Sequence, residues 1–239
     1  MKYAVAIPSN GPVHIAWAIM YSQLQWPVSG ERNTIVPIKV PIATARNNCA
    51  IAAKERDCKY LVFIDDDVLI PDSAMKLMLY QMEQNDDWDA ITGVYCTKTI
   101  PPEPLIFGGK PEDVSGPYWD WKMGETFPVW GAGLGCCVIR VSAFDKIEEP
   151  YFAFVESSDG MNSEKEGEDL HFFRKLYEAG GKVFCNGSIL CGHMDRKDDK
   201  VYSMWKDSKP YKNRIPEMAD TLERMVPDEP AASVISKAA

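Results

Sequence analysis

Three adjacent carboxylates, Asp65-Asp66-Asp67, follow directly on the apolar run Tyr60-Leu61-Val62-Phe63-Ile64. Carboxylates this close repel one another unless a cation or hydrogen-bond donors offset the charge. Hard divalent ions that prefer oxygen ligands are their natural partners. An EF-hand is excluded, because Leu69 stands at its fifth ligand position and Ile70 at its glycine position. A solvated turn capping a helix is the plain alternative. Placement after a buried strand favours metal or ligand binding, since open α/β sheets bind ligands at the carboxyl ends of their strands.

Three further groups could do chemistry. Gly167-Glu168-Asp169-Leu170 opens a helical stretch. Carboxylates in a first turn gain roughly 0.3–1 kcal/mol each from the helix dipole, which alone could account for them, but the same position suits a base held at a cleft edge. His193, in Gly192-His193-Met194, is one of three histidines, with His14 and His171. His193-Met194-Asp195 begins like an iron facial triad, but no later histidine completes one. Cys185, Cys191 and His193 lack a fourth zinc ligand at any familiar spacing. Finally, Arg46 in Ala45-Arg46-Asn47-Asn48 is either a surface charge or a guanidinium able to reach a diphosphate.

The elements that must position these groups alternate in type. Lys2–Ile7 reads as a strand ending in the loop Pro8-Ser9-Asn10-Gly11, His14–Leu24 as a helix and Thr34–Val40 as a strand. Ile42–Arg56 carries Ala45, Cys49, Ala52 and Ala53 at helical spacing. Tyr60–Ile64 is a buried strand by type, a helix capped by Asp72 or Ser73 runs to about Gln84, and Ala90–Tyr95 is a further strand. Between Cys96 and Val129 periodicity is lost, while Trp119, Trp121 and Trp130 argue against disorder. Val138–Arg140 closes a strand in which Cys136 and Cys137 face opposite ways. Glu156–Gly167 reads as a polar loop and Leu170–Ala179 as a helix with Leu170, Phe173 and Tyr177 on one stripe, stopped by Gly180-Gly181. Lys182–Cys185 is the last clear strand. Beyond Asp195 a charged, strand-poor tail is expected, with a short helix near Pro216–Met225 and a frayed end from Pro227. Such alternation implies a three-layer α/β fold around a mostly parallel sheet.

Composition narrows the class. The 239 residues carry 26 Lys+Arg against 35 Asp+Glu, a formal charge of −9, which argues against a nucleic-acid or anionic-membrane binder. No run approaches the roughly 20 apolar residues that span a bilayer. The N-terminal stretch does not read as a signal peptide, and seven cysteines form no C-x-x-C pair, so a cytoplasmic protein without a disulfide framework is expected.

Taken together and in this order, the motifs resemble GT-A glycosyltransferases of the family 2 type, over about residues 3–194. The matching pieces are the loop Ile7-Pro8-Ser9-Asn10, the helix Ala45-Arg46-Asn47, the D-x-D strand end Phe63-Ile64-Asp65-Asp66-Asp67, the pair Glu168-Asp169 and Gly192-His193. The resemblance implies a three-layer GT-A fold over 1–195 with an extension, 196–239, packed on it. It implies a nucleotide-diphosphate sugar donor, a glycan or other hydroxyl acceptor, and Mn²⁺ or Mg²⁺. Asp67 and His193 would hold the ion, with Asp65 supporting it or holding the ribose. Pro8, Ser9, Arg46, Asp65 and Asp66 would line the nucleotide pocket. Trp130, Gly131, Ala132 and Gly133 would face donor sugar and acceptor. Asp169 would be the general base of an inverting transfer, with Glu168 the second candidate. Pro37-Ile38-Lys39-Val40-Pro41 stands where such enzymes often place an acidic residue that reads the base. The rival readings are a nucleotidyltransferase, although Ser9-Asn10-Gly11-Pro12 lacks a basic residue, and a carbohydrate-binding module with a platform of Trp119, Trp121 and Trp130.

Overall fold

The structure is a computed structural model that describes residues 1–113, 116–155 and 166–204. The helix expected near Pro216–Met225, the end from Pro227 and most of the polar stretch Glu156–Gly167 lie outside the described residues. In chain order the elements are β1 (Lys2–Ala6), α1 (Ile15–Gln23), β2 (Glu31–Ile35), α2 (Ile42–Glu55), β3 (Tyr60–Ile64), β4 (Val68–Leu69), α3 (Ala74–Gln84), β5 (Ala90–Val94), β6 (Ile106–Phe107), β7 (Thr126–Val129), β8 (Gly131–Ala132), β9 (Cys136–Arg140), α4 (Glu168–Glu178), β10 (Val183–Leu190), β11 (Gly192–Asp195) and β12 (Lys200–Tyr202).

Seven strands form the central sheet in the order β2-β1-β3-β9-β5-β10-β7. Five run in one direction, with β9 and β7 against them. The period of two in a strand divides the core. Ala4, Ala6, Leu61, Phe63, Cys137 and Ile139 face α2 and α4, meeting Cys49, Ala50, Ala53, Phe172, Phe173 and Leu176. Their chain neighbours Tyr3, Val5, Tyr60, Val62, Cys136 and Val138 face α1 and α3, meeting Trp17, Met75, Met78 and Met82. Cys136 and Cys137 thus point to opposite layers, both fully buried. Each large side chain buried in this way contributes roughly 1.5–3 kcal/mol. No helix among the described residues is long and apolar enough to cross a membrane.

Several boundaries differ from expectation. β2 spans Glu31–Ile35 rather than Thr34–Val40, because Pro37 lacks a ladder donor and Lys39 takes a left-handed φ of 57°. Beyond it the two chains still touch through Ser9 N–H to Pro37 O (3.0 Å) and Lys39 N–H to Ser9 O (2.8 Å). Ser73 sits at the N-cap of α3, but neither its side chain nor that of Asp72 bonds the first turn as a cap. The buried face of α4 is Glu168, Phe172, Phe173 and Leu176, rotated from the expected stripe. β10 runs on to Leu190, β11 follows the strand expected to be the last clear one, and β12 lies in the tail expected to be strand-poor. These two join β4 in a small antiparallel sheet, β12-β11-β4, which proves decisive for the site.

Candidate active site

β1 and β3 run parallel and adjacent, so Pro8, Ser9 and Asn10 beyond β1 arrive beside Asp65, Asp66 and Asp67 beyond β3. Between them lies a cleft of about 530 Å³, also lined by Lys39, Pro41, Arg46, Tyr95, Glu168 and Asp169. Five carboxylates therefore share one cleft, and their partners differ.

Arg46, on the cleft side of α2 with its side chain 4% exposed, holds two of them. Its Nη2 donates to both oxygens of Asp65 (3.1 and 3.0 Å), and its Nε donates to Glu168 Oε1 (3.1 Å). A guanidinium is suited to such forked contacts. Arg46 thus ties β3, α2 and the start of α4 together. Asp66, also buried, accepts from Ser9 Oγ (2.6 Å) and pairs with Arg196. Arg196 Nη1 also donates to Pro12 O, so the turn after β11 is anchored over the loop after β1.

Asp67 faces His193 because β4 pairs antiparallel with β11, setting His193 opposite Val68, and Met194 N–H donates to Asp67 O (2.7 Å). His193 Nδ1 lies 2.7 Å from Cys96 O. A carbonyl only accepts, so Nδ1 carries the hydrogen and Nε2 is the ring nitrogen left to face Asp67. Nε2 stands 3.6 Å from Asp67 Oδ1, beyond hydrogen-bond reach. A carboxylate oxygen and an imidazole nitrogen turned to one gap, the ring fixed by a carbonyl behind it, fit a divalent cation by donor type. Among the described residues no three His, Cys, Asp or Glu side chains converge, so those residues could offer an ion two ligands. That is usual where substrate phosphates supply others. In the structure Asp67 Oδ2 holds Lys98 Nζ at 2.6 Å. Burial by itself would raise the Asp67 carboxyl, yet His193 and Lys98 outweigh it and hold it at about 2.

Asp169 has no cation among the described residues. Its side chain accepts from the Leu170 N–H (2.8 Å). Burial pushes its carboxyl up to about 6, and the Glu168 charge adds to the rise. The floor beneath is Tyr95, whose Oη accepts from Gly135 N–H (3.1 Å) and would clash with a side chain at Gly133.

Of the residues singled out from sequence, Pro8, Ser9, Arg46, Asp65, Asp66, Asp67, Glu168 and Asp169 share the cleft, with His193 against Asp67. Trp130, Gly131, Ala132 and Gly133 do not line it. Trp130 is 2% exposed, packed on Phe107 with Arg174 over its ring, and Gly131 lies against Leu170. This segment packs against α4. Trp121 is also 2% exposed, so a platform of three tryptophans is not presented. Lys39, Tyr95, Lys98 and Arg196 belong to no motif and were missed; only the position of Tyr95 at the end of a strand could have signalled one of them.

Comparison with known proteins finds no matching family model and no matching curated sequence. Among solved structures, A197 from STIV superposes with a TM-score of 0.58 at 20% identity, covering 85% of this chain and 94% of that one. S. aureus TarS gives 0.47 at 16% identity, covering 77% of this chain and 35% of TarS. TarS 1-349 in complex with UDP-GlcNAc gives 0.48 at 13% identity, covering 78% and 56%. The fold is a mixed α/β, GT-A-like fold with a mostly parallel central sheet.

Proposed function

We propose that this chain is a metal-dependent glycosyltransferase that moves a sugar from a nucleotide-diphosphate donor to an acceptor hydroxyl, with inversion. The substrate class comes by analogy from the fold. The observation that carries the chemistry is the unequal treatment of five carboxylates in one cleft. Four are matched by Arg46, Lys98 and Arg196, while Asp169 pairs with no cation among the described residues and is held at about 6. A carboxylate so placed is a base close to neutral pH.

Pro8, Ser9 and Lys39 line the side of the cleft assigned here to the nucleotide. Asp67 and His193 would hold Mn²⁺ or Mg²⁺. When bound, the ion supplies Lewis-acid stabilisation of charge on the departing diphosphate. Arg46 keeps Asp65 and Glu168 in place, so Glu168 serves position and Asp169 serves proton transfer. The acceptor oxygen bonds to the anomeric carbon as the bond from that carbon to the diphosphate oxygen breaks. The diphosphate leaves with the electron pair, and the acceptor's proton passes to Asp169. A single displacement of this kind inverts the centre.

The test is Asp169→Asn assayed for transfer and, separately, for donor binding. Turnover is expected to fall by about 10²–10⁴-fold, the usual scale for a lost general base, with donor affinity retained. Equal loss of both would mean that Asp169 binds substrate and is not the base.

A further inference from the structure

Lys98 lies in the turn after β5, and the same short segment addresses both groups that the metal reading assigns. Cys96 O fixes the His193 ring at 2.7 Å, and two residues on, Lys98 Nζ sits 2.6 Å from Asp67 Oδ2. Hydrogen bonds brace the turn: Thr97 N–H donates to Glu103 O (2.8 Å) and Glu103 N–H to Thr97 Oγ1 (3.0 Å). The side chains of Lys98 and Asp67 are 29% and 23% exposed, so the pair is partly shielded from water but open to exchange. A carboxylate that already holds an ammonium is a poorer ligand for a second cation, because the two positive charges repel at short range.

We propose that Lys98 is a built-in competitor of the divalent ion: it occupies Asp67 in the empty cleft and must leave before Asp67 and His193 can take a metal. The proposal rests on the metal reading of that pair. Its consequence is ordered charge. Without nucleotide, Lys98 keeps Asp67 neutralised and metal binding weak. When a diphosphate enters, the ammonium has an anionic partner to move to, so metal and nucleotide favour each other's binding.

Mn²⁺ alone is the probe, with free Mn²⁺ followed by electron paramagnetic resonance as protein is added. Lys98→Met is expected to bind Mn²⁺ about tenfold tighter than the wild type or better, and Lys98→Arg to stay within about threefold of it. Lys39→Met removes a charge from the same cleft and controls for bulk electrostatics; a gain there equal to that of Lys98→Met overturns the proposal. In the Lys98→Met background, Asp67→Asn is expected to abolish the gain, and its persistence would also overturn the proposal. Equal Mn²⁺ affinity in wild type and Lys98→Met sinks the competitor role but leaves the metal reading standing. No Mn²⁺ binding by any of these proteins removes both.

Discussion

Burial and the Glu168 charge that raise Asp169 to about 6 make two opposite demands on the molecule. A base must be ionised to accept a proton, so kcat/KM is expected to rise as pH climbs through about 6 and to level off above it. A pH–rate profile reads this directly, and the rising limb should vanish in Asp169→Asn. Stability runs the other way. The unfolded chain ionises this carboxyl near its ordinary 3.8, the folded chain only near 6, so the native state holds the extra proton between those values and loses stability as pH rises through them. Asp169→Asn is therefore expected to be more stable than the wild type at pH 7, by on the order of 1–3 kcal/mol, with the difference shrinking near pH 4. Urea unfolding at the two pH values checks it. Asp67 has the reverse sign. Its folded value of about 2 lies below the ordinary 3.8, so its contribution is present above about pH 4 and is lost as pH falls toward 2.

The elements meet at Arg46. Its guanidinium joins the end of β3 to the start of α4, and its side chain is 4% exposed against 23% for Asp65 and 11% for Glu168. Arg46→Met would leave two carboxylates facing each other without a cation, and a loss of about 3–5 kcal/mol in a urea titration is expected. Arg46→Lys should recover only part of it, because a point charge cannot fork between both partners. Gly135 is tested differently: a Cβ there would stand 2.6 Å from Val68 Cγ2, so Gly135→Ala should cost about 1–3 kcal/mol by overpacking the cleft floor. β3 was legible in sequence because five consecutive buried residues carry their own signature, and α2 because its small residues recur at helical spacing. β11 and β12 were not. They are short, and their residues Gly192, Asp195 and Lys200 carry no alternation; pairing with β4, not local preference, makes them strands.

Across the whole molecule, the ends of β1 and β3, the helices α2 and α4 and the small sheet bring residues 8, 46, 67, 169 and 193 together around one cleft. The carboxylates were readable because each sits at a strand or helix end within a contiguous motif. Two of their partners were not, since Lys98 and Arg196 reach the triplet from turns whose course depends on tertiary contacts. The burial of Trp130 was not readable either: an aromatic beside glycines resembles an open surface until Phe107 and Arg174 are seen to pack on it. The proposed function joins fold, cleft and base through the binding of a nucleoside diphosphate together with a divalent ion. The most direct measurement is thermal unfolding with UDP, GDP, CDP or TDP, each with and without Mn²⁺, for the wild type and Asp67→Asn. A ligand at 100 times its dissociation constant stabilises by roughly 2.7 kcal/mol, a readable rise in Tm. The account predicts a rise with one nucleotide that needs Mn²⁺ and disappears in Asp67→Asn. No rise with any nucleotide, or a full rise without metal, would contradict it.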